Sequence, residues 1–147
     1  MENLEEELKK FRFRMKVEMR WSDVDEMHHV NNAVYLTYFE QSRVYYFHEA
    51  CKWNWQDDGV ILANAHVNYI RPLHFPDPAY IYVRVAKMGN KSFEVQYLIV
   101  NEWPDRKEVI TNGYTTLVMF DYKAKAPFPI PQRIREALTN YEPALEA

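Results

Sequence analysis

The chain has 147 residues, a formal net charge of −3, and a composition that is 48% hydrophobic and 16% aromatic. That length suits one domain, residues 1–147, with one core, and so much apolar surface excludes a disordered chain. The near-neutral charge gives no footprint for nucleic acid, no run is apolar enough for a membrane span, and the lone Cys51 excludes a disulfide framework.

The predicted elements follow in chain order. Phe11, Phe13, Met15, Val17 and Met19 alternate with Arg12, Arg14, Lys16, Glu18 and Arg20. Period two predicts a first strand with one wet face. A carboxylate-rich turn follows, then a helix over 31–51 in which Tyr35, Tyr38, Phe39, Ser42, Tyr45 and Tyr46 recur at three- and four-residue steps. Asp25, Asn31 and Asn32 are its start signals. A second strand is predicted over 60–70, with Ile61, Ala63, Ala65, Val67 and Tyr69 on one side and Asn64, His66 and Asn68 on the other. Strands over 80–88, 92–100 and 109–121 complete the sheet, and a short helix closes the chain over 132–141. Such a sheet has one apolar face and one long helix to cover it. The acidic start, unlike a signal peptide, points to the cytoplasm.

The chemistry concentrates between residues 21 and 32. Two aspartates, two histidines and two asparagines lie where a strand gives way to a helix. A helix N-terminus offers free N–H groups and a partial positive charge. A carboxylate facing that end can attack a carbonyl while the N–H groups hold the oxyanion. On residue type alone, Asp25 is either a catalyst or a cap. His29 either orients water or a substrate, or satisfies a backbone carbonyl. Asp23 suits holding the turn or an arginine. Asp23, Asp25, His28 and His29 do not make a metal site, because adjacent histidines diverge and no distant pair completes a ligand spacing. Cys51 closes a helix, where the dipole disfavours a thiolate.

The order of elements and the motif resemble the hotdog-fold thioesterases, in the branch of the 4-hydroxybenzoyl-CoA thioesterases. The resemblance rests on Trp21, Asp23, Asp25, His29-Val30-Asn31-Asn32, Tyr35, Glu40-Gln41-Ser42-Arg43 and Val67-Asn68-Tyr69-Ile70-Arg71-Pro72. It implies an α+β hotdog fold, a five-stranded antiparallel sheet wrapped around one long helix. It implies hydrolysis of an acyl-CoA thioester to a carboxylic acid and CoA, without a metal or other cofactor. Alternatives are an acyl-carrier-protein thioesterase and a non-catalytic acyl-CoA binder of the same fold. Asp25 takes the place of the catalytic carboxylate, and Asn32 that of the N–H donor that polarises the thioester. His29 and Asn31 flank them. Glu40, about two turns into the helix, either looks back toward the site or is exposed or pairs with Arg43. Asn90, Lys91 and Ser92 match a hairpin that contacts the CoA nucleotide, with Arg71 as a second phosphate ligand. His28 stands where the family pattern has Gly, a residue that allows positive φ freely. A homodimer or homotetramer is implied.

Overall fold

The helix at the centre of the structure is α2, Val34–Cys51, whose 18 residues include neither Gly nor Pro. The structure, a computed structural model, describes residues 3–146. Tyr35, Tyr38, Phe39, Ser42, Tyr46, Phe47 and Ala50 are buried along the helix, at the spacing that aligns side chains on one side. Lys52, left-handed at φ 52°, ends it by returning its N–H to the Phe47 and His48 carbonyls.

Strands β1 (Phe13–Lys16), β2 (Val60–Tyr69), β3 (Ala79–Met88), β4 (Ser92–Glu102) and β5 (Lys107–Asp121) form an antiparallel sheet in the order β1-β3-β4-β5-β2. The sheet curls around α2, giving the α+β hotdog architecture. The inner faces of β3 and β4 supply Ile81, Val83, Val85, Phe93, Val95, Tyr97 and Ile99 to the core. Helix α3, Gln132–Tyr141, packs on α2 through Ile134 and Leu138. Beyond it the buried Glu142 carboxylate accepts the Tyr46 hydroxyl and the Val85 N–H, and its burial pushes its pKa up. No helix among the described residues is long and apolar enough to cross a membrane.

The sheet and α2 pack tightly at Phe39. The Phe39 ring stacks on the Tyr97 ring with centroids 4.1 Å apart. Gly113 makes room for it: a Cβ there would lie 2.4 Å from the His66 carbonyl oxygen and 2.8 Å from the Phe39 ring.

Several sequence expectations shift. The first strand spans only four residues, and Phe11 lies on the opposite face from Phe13, packed with Leu8, Tyr82 and Leu98. The turn from a short helix, α1 (Leu4–Leu8), causes this by resetting the alternation before β1 begins. In β2 a bulge between Leu62 and Asn64 puts Leu62 opposite the core residue Leu117 and Ile61 opposite Val118. Cross-strand partners share a face, so Leu62, not Ile61, lies on the inner side with Ala65 and Val67. Helix α2 starts at Val34 rather than at residue 31, because Asn31 and Asn32 belong to the turn before it. A two-residue strand, β6 (Ala126–Pro127), joins β5 past the end of β4.

Gly113→Ala should lower stability by about 1–3 kcal/mol, the usual cost of overpacking. Urea unfolding would read this as a lower midpoint at unchanged slope. An unchanged midpoint would show that Phe39 gives way freely.

Candidate active site

The site is built on the loop between β1 and α2. Asp23, 2% exposed, ends a single 3₁₀ turn. Its carboxylate accepts the Arg20 N–H at 2.9 Å, the Arg20 guanidinium at 2.9 and 3.1 Å, and the Tyr38 hydroxyl at 2.8 Å. Burial alone would raise its pKa, but these bonds outweigh burial and hold it below the usual carboxylate value. The Asp23 carbonyl accepts the Asn31 N–H at 2.9 Å, so the loop is closed at its base.

Within the loop, Asp25 and His29 face each other across a tight turn. The Asp25 N–H donates to the His29 carbonyl at 2.9 Å, and the His28 N–H to the Asp25 carbonyl at 3.0 Å. The Asp25 carboxylate accepts the Met27 and His29 N–H groups through Oδ1, at 2.9 and 3.2 Å. Its Oδ2 accepts no hydrogen bond from the described residues. His28 adopts φ 64°, the left-handed region the family's Gly would take freely, and its ring lies edge-on to Trp21 at 5.5 Å. His28 is not among the residues lining the Asp25 cavity.

At the helix start the turn satisfies some donors and leaves the Asn32 N–H open. Asn31 accepts the Ala33 N–H through its side chain at 3.0 Å and the Val34 N–H through its carbonyl at 2.9 Å. The Asn32 N–H has no acceptor among the described residues. Asp25, His29, Asn32 and Arg71 line one cavity of about 250 Å³, whose walls include Tyr35 and Tyr69. Tyr69 donates its hydroxyl to the Asn32 carbonyl at 2.9 Å, and its ring meets Tyr35 edge-on at 4.9 Å. Tyr35 in turn accepts the Leu73 N–H at 3.3 Å. Both tyrosines belong to the stretches that carry the family resemblance, but nothing in their spacing marks a cavity wall.

An open carboxylate oxygen and an open helix-start N–H on one cavity suit attack on a carbonyl with support for the oxyanion. Arg71 is exposed at the rim, 3.9 Å from the Glu108 carboxylate. Asn31 serves the turn and is not on the cavity wall.

Asn90, Lys91 and Ser92 are not brought to this cavity within one chain. They lie at the β3–β4 hairpin, where Ser92 pairs with Val118, whereas the site end of the sheet pairs Ile99 with Thr111 and Thr111 with Tyr69. Seven residue steps, from Ser92 to Ile99, separate the two ends along β4, about 23 Å at the usual rise. The hairpin is tied down by Arg135 of α3, which donates to the Gly89 carbonyl at 2.7 Å. Glu40 is exposed, 3.8 Å from Arg43, and also lies off the cavity wall. Cys51 donates to the Phe47 carbonyl, and burial pushes its thiol up to about 12, out of reach as a nucleophile. Among the described residues, no three His, Cys, Asp or Glu side chains are grouped to hold a metal ion.

A profile of the thioesterase-like superfamily matches residues 19–138. A solved thioesterase from Thermus thermophilus, complexed with coenzyme A and Zn, is 31% identical with a TM-score of 0.80, over 91% of this chain and 96% of that one. The long-chain acyl-CoA thioesterase FadM of Escherichia coli is 25% identical over 84% of this chain and 94% of its own. The protein YsmA of Bacillus subtilis is 30% identical over 92 residues, 60% of each chain.

The Asp23 carboxyl gives a pH signature. Its pKa lies below the unfolded value of about 3.9. Its stabilisation is therefore complete above that pH and is lost as pH falls through the folded value. Thermal melts carried down to about pH 2 should show an acid-side fall that Asp23→Asn makes shallower. The same fall in both proteins would mean that other carboxylates carry it.

Proposed function

The chain belongs to the thioesterase-like superfamily, and on that premise we propose how it hydrolyses an acyl-CoA thioester to a carboxylic acid and CoA. The observation that carries the reading is the pairing, on one cavity, of the open Asp25 oxygen with the open Asn32 N–H. The thioester carbonyl lies against the Asn32 N–H at the positive end of α2. Asp25 takes a proton from water as the water oxygen attacks the carbonyl carbon. The tetrahedral oxyanion is held by that N–H. Its collapse expels the CoA thiolate, which recovers the proton from Asp25. Direct attack by Asp25 through a transient anhydride uses the same geometry and ends in the same products. His29 orients the water or the thioester from the cavity wall.

A second copy of the chain belongs to this proposal. Strand β2 is an edge, and Leu62, Tyr69 and Ile70 on and just beyond it are each about half exposed. Leu36, Val44 and Tyr45 of α2 are also open to solvent. A long uncovered edge invites pairing with its own copy. Antiparallel pairing of two β2 strands sets the Val60 end of one beside the Tyr69 end of the other. The hairpin with Asn90, Lys91 and Ser92 then lies on the same side as the first chain's Asp25, with Arg71 at the rim. Lys91 and Arg71 suit the CoA phosphates. We propose a homodimer, or a tetramer built from it, acting in the cytoplasm on acyl-CoA.

The test is a screen of acyl-CoAs from acetyl to palmitoyl, and of aryl-CoAs, with Asp25→Asn beside the wild type. Asp25→Asn should lose about a hundredfold or more in kcat while keeping its oligomeric state. Near-wild-type turnover would move the chemistry off Asp25. Light scattering at micromolar concentration should give at least a dimer, and a monomer with full activity would sink the shared site.

A further inference from the structure

The connection from β2 to β3 carries a histidine that the motif does not include. It runs antiparallel to the catalytic loop: the Val30 N–H donates to the Leu73 carbonyl at 2.8 Å, and the Phe75 N–H to the His28 carbonyl at 3.0 Å. Between these bonds His29 and His74 stand opposite each other as a bridge pair. A pair flanked by the hydrogen bonds, rather than joined by them, is where antiparallel side chains come closest. Both side chains leave on the same face. The His29 and His74 rings meet edge to face, centroids 4.5 Å apart and planes at 81°. Edge-to-face is a favoured arrangement for two rings. The His74 backbone is itself fixed, because its carbonyl accepts the Asp77 N–H at 3.0 Å.

We propose that His74 is a positioning residue for His29, setting the plane of the imidazole that faces the Asp25 cavity. The inference rests on the reading of Asp25 and His29 as one catalytic unit. The His29 backbone is already fixed by its bonds to Asp25. What those bonds leave free is rotation of the side chain. Only a group on the same face can restrict that rotation, and His74 is the ring in contact. His74 is exposed and off the cavity wall, so it acts through His29 and does not touch substrate. The role needs a flat ring at position 74 rather than an imidazole as such.

The test compares His74→Ala, His74→Gln and His74→Phe. The substrate is whichever of acetyl-, octanoyl-, palmitoyl- and benzoyl-CoA the wild type turns over fastest. Loss of the ring should lower kcat about tenfold, the scale of a misplaced catalytic group, with KM little changed. His74→Phe should restore kcat to near the wild-type value. His29→Ala/His74→Ala should be no slower than His29→Ala, because a positioning residue has nothing left to position. Wild-type kcat in His74→Ala and His74→Gln, equal loss in His74→Phe, or losses that multiply in the double variant would each overturn the assignment. His74→Gln keeps a polar side chain at this exposed site, so it carries the test if the alanine variant folds poorly. Asp25→Asn run in parallel separates the two readings. An inactive Asp25→Asn beside a wild-type His74→Ala sinks only the role of His74, whereas an active Asp25→Asn sinks the reading beneath it.

Discussion

The four hydrogen bonds that end on the Asp23 carboxylate connect the site to the rest of the molecule. Arg20, at the exit from the first strand, supplies three of them, and Tyr38 of α2 supplies the fourth. The Asp23 carbonyl then takes the Asn31 N–H, so both ends of the nine-residue stretch carrying Asp25 and His29 meet at one buried residue. A carboxylate suits this point because it only accepts, and it has lone pairs enough for all four donors. The side chains of residues 25–28 are exposed, yet the loop cannot drift without breaking bonds in the interior.

The same turn of α2 sets the other distances. Tyr38 reaches the loop through Asp23, Tyr35 takes the Leu73 N–H of the β2–β3 connection, and Phe39 stacks on Tyr97 in the sheet. Three side chains within five residues therefore fix the loop, the connection and the sheet relative to one helix start, where the Asn32 N–H is open. The closeness of Gly113 to Phe39 lets that turn sit low on the sheet. A helix held a little farther out would carry the N–H donor away from a carboxylate whose own position is set by the loop. Packing in the core and geometry in the cavity are thus one constraint.

Much of this was legible in the sequence. The alternation in the third to fifth strands, the uninterrupted aromatic helix and the closing helix all have strong periodic signals, and the structure keeps them at nearly the expected bounds. The misses have physical causes. Phe11 continues the alternation of the first strand on paper, but the α1 turn sends it to the outer face. The bulge near Ala63 moves Leu62 inward in place of Ile61, and a stretch with apolar residues at 61, 62, 63 and 65 gives no hint of where the extra residue falls. Of the motif's residues, Asp25, His29, Asn32 and Arg71 line one cavity. The motif could not show that Tyr69 walls this cavity or that His74 lies against His29, because their proximity depends on how the chain returns after β2. Nor could it show that Lys91 and Asp25 occupy opposite ends of one sheet, since hairpin chemistry fixes a turn and not its distance from another.

His28 holds a left-handed backbone where the resemblance leads one to expect Gly. The left-handed backbone there costs a residue with a Cβ about 1–2 kcal/mol relative to Gly. Several contacts offset that strain. Its N–H is bonded to the Asp25 carbonyl, its carbonyl accepts the Phe75 N–H, and its ring packs against Trp21, which also meets Phe75 at 5.6 Å. A Gly would relax the backbone but would leave Trp21, already 65% exposed, with one ring contact fewer. His28 does not line the Asp25 cavity, so a bulky residue at this position costs strain without obstructing the site. The turn geometry is therefore what the motif demands at this position, and Gly is only the least strained way to meet it.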